Sequence, residues 1–297
     1  MININYIIGI SILTLGGIAA YISTFKNRKV YVKILNEVST TWEDLGLTEV
    51  KEIIKHFKFH VKVMIFGWLA VQVIFRTATF TMLKSTQSMF IETAYSLLPE
   101  ILFTSIVGFF YVLILMLACL LKNIDQQIQN LNQEECGDVL NTLGRLELAY
   151  AKTIEVKRDI NRIFELIIAI MLMEGFYATL RQAHGVYHAL YHVKQKVYKM
   201  ILGTSFIMYP VSKLFAISYT GSMLKNMAMK IGRSLHAIPV NEDDTKLFMT
   251  IQHFSKLMYY YETELTIFGF FSLDSNLLFN MVASVVTYFV VLVQFDL

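Results

Sequence analysis

Long stretches of apolar residues recur along the chain, separated by stretches that hold most of the charges. Residues 1–25 contain no charged side chain, and residues 101–121 form a second uncharged stretch. A third stretch, residues 275–297, has a single charge at Asp296. Because about 20 mostly apolar residues suffice for a helix to cross a bilayer, each of these stretches predicts a membrane-spanning helix.

Three further apolar stretches each hold one or two charges. They are residues 63–83 with Arg76, residues 166–193 with Glu174 and Arg181, and residues 200–224 with Lys213. A signal peptide would account for one such stretch but not for six. The sequence therefore predicts an all-α, polytopic membrane protein that forms a single domain over residues 1–297. The predicted spans lie at about residues 4–24, 62–83, 101–121, 164–184, 200–224 and 275–296.

The stretches between the spans also have helical spacing. Apolar residues follow one another three or four positions apart in residues 45–59, 124–164 and 245–261. We therefore expect the membrane helices to continue beyond the bilayer and to pack there as a helical bundle. The acidic run 241–244, just after Pro239, is typical of a turn followed by a helix start.

Composition excludes two other classes of protein. Hydrophobic residues make up 55% of the chain and charged residues 16%, whereas disorder requires low hydrophobicity and high charge. Two cysteines are too few for a secreted disulfide scaffold. The scarcity of proline, with three in the chain, favours long helices.

The positive charges predict an orientation. Of the 26 Lys and Arg residues, 19 lie in the three segments 24–62, 122–162 and 225–256, and the alternate loops hold far fewer. Cytoplasmic loops of membrane proteins are enriched in Lys and Arg. These three segments are therefore predicted to be cytoplasmic, which places the C-terminus outside the cell.

The same orientation places the uncharged N-terminal start outside the cell, which is unusual for a chain with no signal before it. Two explanations remain open. The native protein has one more helix in front, which gives seven spans and a cytoplasmic N-terminus. Alternatively, the protein has six spans and inserts by means of the basic residues at 26–33.

Charged residues inside predicted spans point to a binding site, because such residues are costly there and usually functional. At 1.5 Å per residue, Glu174 and Lys213 reach nearly the same depth in antiparallel spans. Helical spacing adds neighbours to each charged position. The candidate walls of one polar pocket, open to the outside, are Trp68, Gln72, Arg76, Glu174, Tyr177, Tyr209 and Lys213. The alternative is a structural ion pair between two helices, with Arg76 extended to the lipid headgroups.

Motifs of soluble enzymes are not found in the sequence. The chain has no nucleophile elbow, zinc-protease motif, P-loop or dinucleotide fingerprint, so we expect no enzymatic activity, cofactor or nucleic-acid partner. His184, His188 and His192 fall on one helix face with a spacing that can bind zinc. No Cys or carboxylate lies near them in sequence, so we favour a polar helix surface over a metal site.

The C-terminal end carries a recognisable pattern. Thr287-Tyr288, five apolar residues and Gln294-Phe295 resemble the TYhhhhhQF signature of insect gustatory receptors, in which h is hydrophobic. Upstream, Gly269-Phe270-Phe271 and Leu273-Asp274 are similar to the GFFxLD stretch of that family. The resemblance covers about the last 45 residues and is weak elsewhere.

The resemblance implies a function and a set of partners. Family members are tastant-gated cation channels in the cell membrane, with seven spans per subunit and four subunits around a pore. The six spans predicted here would be the family's second to seventh, so the resemblance implies a chain that lacks the family's first helix. The chain would then bind a small-molecule tastant, conduct cations and form a homo- or hetero-tetramer. On this chain the resemblance implies that Gln294 and Phe295 lie near the outer mouth of the pore and Val291 one turn inside. Thr287 and Tyr288 are expected to serve in packing and hydrogen bonding.

Two other functions are alternatives to the channel. A secondary transporter would use Glu174 and Lys213 as a coupling pair, but such proteins usually show inverted repeats and broken helices, and only Pro210 suggests a break here. A G-protein-coupled receptor has its C-terminus in the cytosol, opposite to the orientation predicted here. The sequence does not distinguish an uncharged sugar, an alkaloid or an amino acid as the tastant.

Overall fold

A computed structural model describes residues 4–46, 86–131, 139–192, 196–240 and 244–296, together with residues 55, 58, 59, 62 and 67. Over these residues the chain is helical apart from one short β-hairpin. The elements, in chain order, are α1 (Ile4–Lys26), α2 (Arg28–Asp44), α3 (Thr86–Leu131), α4 (Val139–His192), α5 (Lys196–His236), α6 (Thr245–Tyr260), β1 (Thr266–Ile267), β2 (Phe271–Ser272) and α7 (Ser275–Asp296).

The three central helices are much longer than a bilayer requires. α3, α4 and α5 have 46, 54 and 41 residues, against the roughly 20 that cross a membrane. This confirms the prediction of an all-α fold whose helices extend beyond the spans. α2 was not predicted, because the sequence analysis placed the helix of that segment at residues 45–59, most of which lie outside the described residues.

In the described part of the chain, three helices are long and apolar enough to cross a membrane. They are α3 from Glu100, α4 as far as Tyr187, and α7. α1 and α5 overlap the predicted spans 4–24 and 200–224. The predicted span 62–83 lies outside the described residues except for residues 62 and 67.

A hydrophobic core joins α2, α3, α4, α5 and α6. Phe164 of α4 is fully buried and its ring lies 5.2–6.4 Å from the rings of Tyr31, Phe109 and Phe110. Buried side chains of this size contribute most to the packing of a bundle. Two ion pairs, Lys33–Asp159 and Lys152–Asp44, both at 3.0 Å, flank this core and hold α2 along α4.

A buried carboxylate joins α3 to α5. Asp125 has a side chain only 1% exposed, and its Oδ2 lies 2.7 Å from the Nζ of Lys230. Ser234 donates to its Oδ1 at 2.6 Å, and Gln129 donates to its Oδ2 at 2.9 Å. A buried charge is stable where its lone pairs are satisfied and a counter-charge is close. Since Lys33, Lys152 and Lys230 all lie at this end of the bundle, we call it the basic end.

α7 has far less contact with the rest of the subunit. None of its side chains from Ser275 to Gln294 is buried. One row of half-buried residues, Met281, Val285, Phe289 and Val293, lies on the side that packs on α4 and α5. The remaining sides of the helix are exposed in the single chain.

The β-hairpin before α7 was not predicted. β1 and β2 pair antiparallel, with Thr266 opposite Ser272 and Ile267 opposite Phe271. The turn needs positive φ at two successive positions, Phe268 at 50° and Gly269 at 72°. Glycine adopts this conformation without steric cost, which explains its place in the turn.

Candidate functional site

A charged pair lies between α4 and α5. The Nζ of Lys213 lies 3.7 Å from Oε2 of Glu174, and the two side chains are only 4% and 12% exposed. The helices approach closely beside this pair, because a Cβ on Gly175 would lie 3.0 Å from Cδ2 of Leu214. The structure thus brings together the two charges that the sequence analysis placed at the same depth.

A tyrosine extends this pair to α3. The ammonium of Lys213 lies 4.4 Å from the centroid of the Tyr209 ring, within the range of a cation–π contact. The Tyr209 hydroxyl donates to Oε1 of Glu100 at 2.7 Å. Glu100, Glu174, Tyr209 and Lys213 therefore form one cluster, which we call the polar cluster. It combines two carboxyl groups, an ammonium and a phenol contributed by three helices.

Glu100 was missed as a site residue by the sequence analysis. It stands directly before the uncharged stretch 101–121 and was interpreted as the boundary of a span. α3 begins at Thr86, so Glu100 lies fourteen residues inside a helix and not at its end. A carboxyl group next to an apolar run is thus an ambiguous signal, and only the position of Tyr209 resolves it.

Tyr177 faces a different neighbour. A Cβ on Gly9 of α1 would lie 3.6 Å from Cε1 of Tyr177 and 3.2 Å from Nη1 of Arg181. The two side chains therefore pack beside α1, next to the side of α4 that carries Glu174. The remaining pocket candidates, Trp68, Gln72 and Arg76, lie outside the described residues.

The histidine row is only partly described. His184 lies in α4, and the side chains of His188 and His192 are outside the described residues. Among the side chains that the structure describes, no group of three His, Cys, Asp or Glu residues is arranged to hold a metal ion.

The residues of the GFFxLD stretch have structural roles at the start of α7. Gly269 forms the turn of the hairpin and Phe271 lies in β2, with its ring exposed. Asp274 caps α7, because its Oδ1 accepts hydrogen bonds from the backbone N–H of Asn276 at 2.9 Å and of Leu277 at 3.1 Å. A carboxylate at this position satisfies free N–H groups of the first helical turn.

The residues of the TYhhhhhQF signature divide between two sides of α7. The Tyr288 ring meets Phe176 of α4 edge to face at 5.8 Å. The Thr287 hydroxyl donates to the carbonyl of Ala283 in its own helix at 3.0 Å. Val291 and Gln294 are exposed, and the side chain of Phe295 is outside the described residues.

Four polar residues and one valine form a stripe on the side of α7 that faces away from the subunit, and we call it the polar stripe. The stripe consists of Asn280, Ser284, Thr287, Val291 and Gln294, all of them exposed. Their spacings of four, three, four and three keep them on one face of a helix. The row that packs on α4 and α5 lies on the opposite face. Val282, Val286 and Val290 are exposed on one flank between the two faces, and Tyr288 and Leu292 are exposed on the other.

Comparison with known proteins identifies the family. The sequence matches the profile of the 7tm chemosensory receptor family over residues 1–297. The chain belongs to this family. As a chemosensory receptor it is a multi-pass membrane protein, and the resemblance found at its C-terminal end is confirmed for the whole chain.

One curated relative of this chemosensory receptor is the gustatory receptor for bitter taste 66a of Drosophila melanogaster. The two are 21% identical over an alignment of 174 positions, and the match covers 56% of this chain and 33% of that receptor. The chain thus matches only a third of the length of this relative.

Solved structures share the fold of the chemosensory receptor. The insect olfactory receptor OR5 of Machilis hrabei, in complex with eugenol, superimposes with a TM-score of 0.74 at 15% identity. The match covers 99% of this chain and 83% of that chain. A second structure of OR5 gives a TM-score of 0.71, also at 15% identity, and the match covers 96% of this chain and 80% of that chain.

Proposed function

We propose that this chemosensory receptor is a tastant-gated cation channel of the gustatory type. Four copies of the chain, or copies together with related subunits, surround a pore that α7 lines. The observation that carries the proposal is the polar stripe of α7, which faces away from its own subunit.

The two amides of the stripe favour a polar environment on the outer side of α7. Amide side chains are expensive in hydrocarbon, so Asn280 and Gln294 are unfavourable neighbours for lipid. The exposed valines on one flank of the stripe and Leu292 on the other suit lipid or the apolar surface of another subunit. A helix with one face on its subunit, apolar flanks and a polar outer stripe fits a position around a water-filled axis.

The stripe residues would have different tasks along the pore. Four copies of Gln294 form a ring of amides, polar but uncharged, which favours small cations only modestly. A ring of Val291 one turn away is apolar and is suited to close the pore by excluding water. Asn280 and Ser284 extend the polar lining towards the start of α7, and neither was a candidate in the sequence analysis.

The polar cluster is the proposed contact of the tastant. It offers carboxylate acceptors, an ammonium donor and an aromatic face within a small space. Small-molecule sites in proteins typically combine such convergent polar groups with apolar walls. The eugenol bound to OR5 and the bitter-taste function of the Drosophila relative support a small organic tastant.

We place the basic end of the bundle in the cytoplasm and the C-terminus outside the cell. The excess of Lys and Arg at that end supports this orientation. The secondary transporter remains the alternative, because its coupling pair would be Glu174 and Lys213. Against it, α5 continues through Pro210 as one unbroken helix, whereas transporter sites usually lie at broken helices.

The test is a whole-cell recording from cells that express the full-length transcript, with a panel of sugars, alkaloids and amino acids. We expect a tastant-evoked cation current whose relative ion permeability changes in Gln294→Ala. Val286→Ala, on the exposed apolar flank of the same helix, is the matched control and should leave permeability unchanged.

Two outcomes would contradict the proposal. A current with identical permeability in Gln294→Ala and the control places the pore away from the stripe. Uptake of the tastant that depends on an ion gradient, without a channel-sized current, supports the transporter instead. Surface labelling of the C-terminus in intact cells verifies that each variant reaches the membrane in the proposed orientation.

A further inference from the structure

The segment between α6 and α7, residues 262–275, is fixed to the rest of the subunit by polar contacts at several points. We call this segment the joint. At its centre, Oε1 of Glu264 lies 2.7 Å from the Nζ of Lys225 in α5. The other carboxylate oxygen accepts a hydrogen bond from the Ser272 hydroxyl at 2.7 Å. One carboxylate thus holds both strands of the hairpin to α5.

The joint is also held by α4. Lys157, whose side chain is buried, donates from its Nζ to the backbone oxygen of Glu262 at 2.9 Å. The amide oxygen of Asn161, one turn further along α4, accepts from the backbone N–H of Thr266 at 3.2 Å. The two contacts fix the main chain of the joint.

The closest approach lies where the joint meets the start of α7. A Cβ on Gly221 of α5 would lie only 1.6 Å from the carbonyl oxygen of Leu273, so the backbones touch directly. One residue further, the Ser222 hydroxyl accepts a hydrogen bond from the backbone N–H of Ser275 at 3.1 Å. The first residue of α7 is therefore bonded to α5.

α5 also carries Tyr209 and Lys213 of the polar cluster. Lys213 is eight residues before Gly221 and twelve before Lys225, which is about 12 Å and 18 Å along a helix. Between these positions α5 is continuous. A helix transmits a displacement along its length because it has no flexible connection within it. The polar cluster and the start of α7 are thus connected by one rigid element.

We propose that the joint transmits movement of α5 at the polar cluster to α7, and that Glu264 is the positioning residue of this link. The inference rests on the proposed function, which places the pore along α7. Since no side chain of α7 from Ser275 to Gln294 is buried, the joint is the firmest attachment of this helix to its own subunit. Rotation of α5 at the cluster therefore moves the base of α7 and, with it, the polar stripe.

The ionisation of Glu264 agrees with this role. The hydrogen bond from Lys225, followed by that from Ser272, holds the pKa of the Glu264 carboxyl below its usual value. The group is therefore an anion at neutral pH and keeps its ion pair with Lys225. Glu264→Gln retains the size of the side chain but removes the charge, so the link to α5 is weakened.

The test measures coupling between the polar cluster and α7 without any tastant. Gln294→Cys is placed in a background in which both native cysteines, Cys119 and Cys136, are replaced by Ala. Its rate of modification by a membrane-impermeant methanethiosulfonate is measured on intact cells. The polar cluster is perturbed by Lys213→Met, or more mildly by Tyr209→Phe, which removes only the hydroxyl bonded to Glu100. A double-mutant cycle with Glu264→Gln then measures whether the two sites are coupled.

We expect Lys213→Met and Tyr209→Phe to change the modification rate at position 294 about fivefold or more. A factor of about five is the lower end of typical coupling between two sites. In the Glu264→Gln background the change should fall below twofold. Glu264→Asp keeps the charge and both acceptor oxygens, so it should preserve more of the coupling than Glu264→Gln. Glu262→Gln is the matched control, because Glu262, like Glu264, acts electrostatically on Lys157 but is not the partner of Lys225 or Ser272. It should preserve the coupling.

The results separate the joint from the proposed function. If Gln294→Cys is modified, but the substitutions in the polar cluster change its modification rate equally with and without Glu264→Gln, the joint does not transmit movement and the inference is wrong. Coupling in Glu264→Asp that is as low as in Glu264→Gln, with normal amounts at the cell surface, also overturns it. If position 294 is never modified from outside in surface-labelled protein, the placement of α7 fails, and both proposals fall.

Discussion

α4 and α7 are both long and apolar enough to cross a membrane, but their surroundings are very different. α4 contacts each of the six other described helices, and Phe164, Ile167 and Ile168 on it are fully or almost fully buried. α7 packs mainly on α4 and α5, and none of its side chains from Ser275 to Gln294 is buried. Similar hydrophobicity therefore serves two purposes: in α4 it forms the core of the subunit, and in α7 it faces outward.

The polar residues of the two helices differ in the same way. Glu174 of α4 faces Lys213 within the chain, so its charge has a partner inside the subunit. The polar stripe of α7 is exposed on the side away from the subunit. Lipid is as apolar as a valine side chain, so the outward valines of α7 lose nothing in a bilayer. Within the stripe, the Ser284 and Thr287 hydroxyls donate to carbonyls of their own helix, whereas the exposed amides of Asn280 and Gln294 suit water or another copy of the helix better than lipid.

The largest expected effect follows from separating α7 from α5. In Gly221→Ala the new Cβ would overlap the backbone of Leu273 at 1.6 Å, and main chain cannot move aside as a side chain does. We expect folding to lose more than about 4 kcal/mol, which only severe packing errors cause. The readout is the amount of folded protein at the cell surface and its thermal midpoint.

The control for this prediction lies on the same helix. A Cβ on Gly232 would lie 3.6 Å from the methyl carbon of Met258, an ordinary contact. Gly232→Ala should therefore be neutral or stabilise the protein by up to about 1 kcal/mol, since alanine favours helices over glycine. Equal loss of protein in both variants would mean that the close approach of α5 and Leu273 is not what holds α7.

A second prediction compares one phenylalanine in each helix. Phe164 is fully buried among three aromatic rings, and Phe279 of α7 is 74% exposed. Phe164→Ala should lower the free energy of unfolding by about 3–5 kcal/mol, as for other buried aromatic residues. Phe279→Ala should change it by less than about 0.5 kcal/mol, as at other exposed sites.

Thermal unfolding of the purified receptor in lipid nanodiscs measures both variants. A large loss in Phe279→Ala would show that α7 is packed on that side by another subunit which remains bound in the nanodisc. Reconstitution with one chain per nanodisc should then abolish the difference. A small loss in Phe164→Ala would contradict the description of α4 as the core helix.

The division between α4 and α7 was only partly predictable from the sequence. Hydrophobic stretches and helical spacing are local properties, so the all-α fold and the long helices were predicted correctly. α7 begins and ends where the last apolar stretch predicted a helix. The side of α7 that faces the subunit depends on α4 and α5, which are distant in sequence, and hydropathy does not contain this information.

The site shows the same limit. Counting residues at a fixed helical rise was enough to place Glu174 and Lys213 together, because both helices are regular. Glu100 was missed because its role depends on Tyr209, which is 109 residues away. The hairpin was missed because strands of two residues have no visible alternation, and its turn depends on positive φ at Phe268.

A third prediction concerns the contact that joins the two helices directly. The ring of Tyr288 meets Phe176 of α4 edge to face at 5.8 Å. A double-mutant cycle with Tyr288→Ala and Phe176→Ala should give a coupling energy of about 0.5–1.5 kcal/mol, as measured for other aromatic pairs. The measurement is thermal unfolding of the four proteins. A coupling energy near zero would mean that α7 is held only at the joint.

The smallest effect is expected on the stripe itself, within a single subunit. The hydroxyl of Thr287 donates to the carbonyl of Ala283, one turn earlier in the same helix, and contacts no other element in the described residues. Thr287→Val removes this hydroxyl but keeps the shape, so the free energy of unfolding should change by less than about 0.5 kcal/mol. The thermal midpoint should then shift by less than about 2 °C. A loss of more than about 1 kcal/mol would show that the hydroxyl bonds to a neighbouring copy, which would place the stripe in contact between subunits and not along open water.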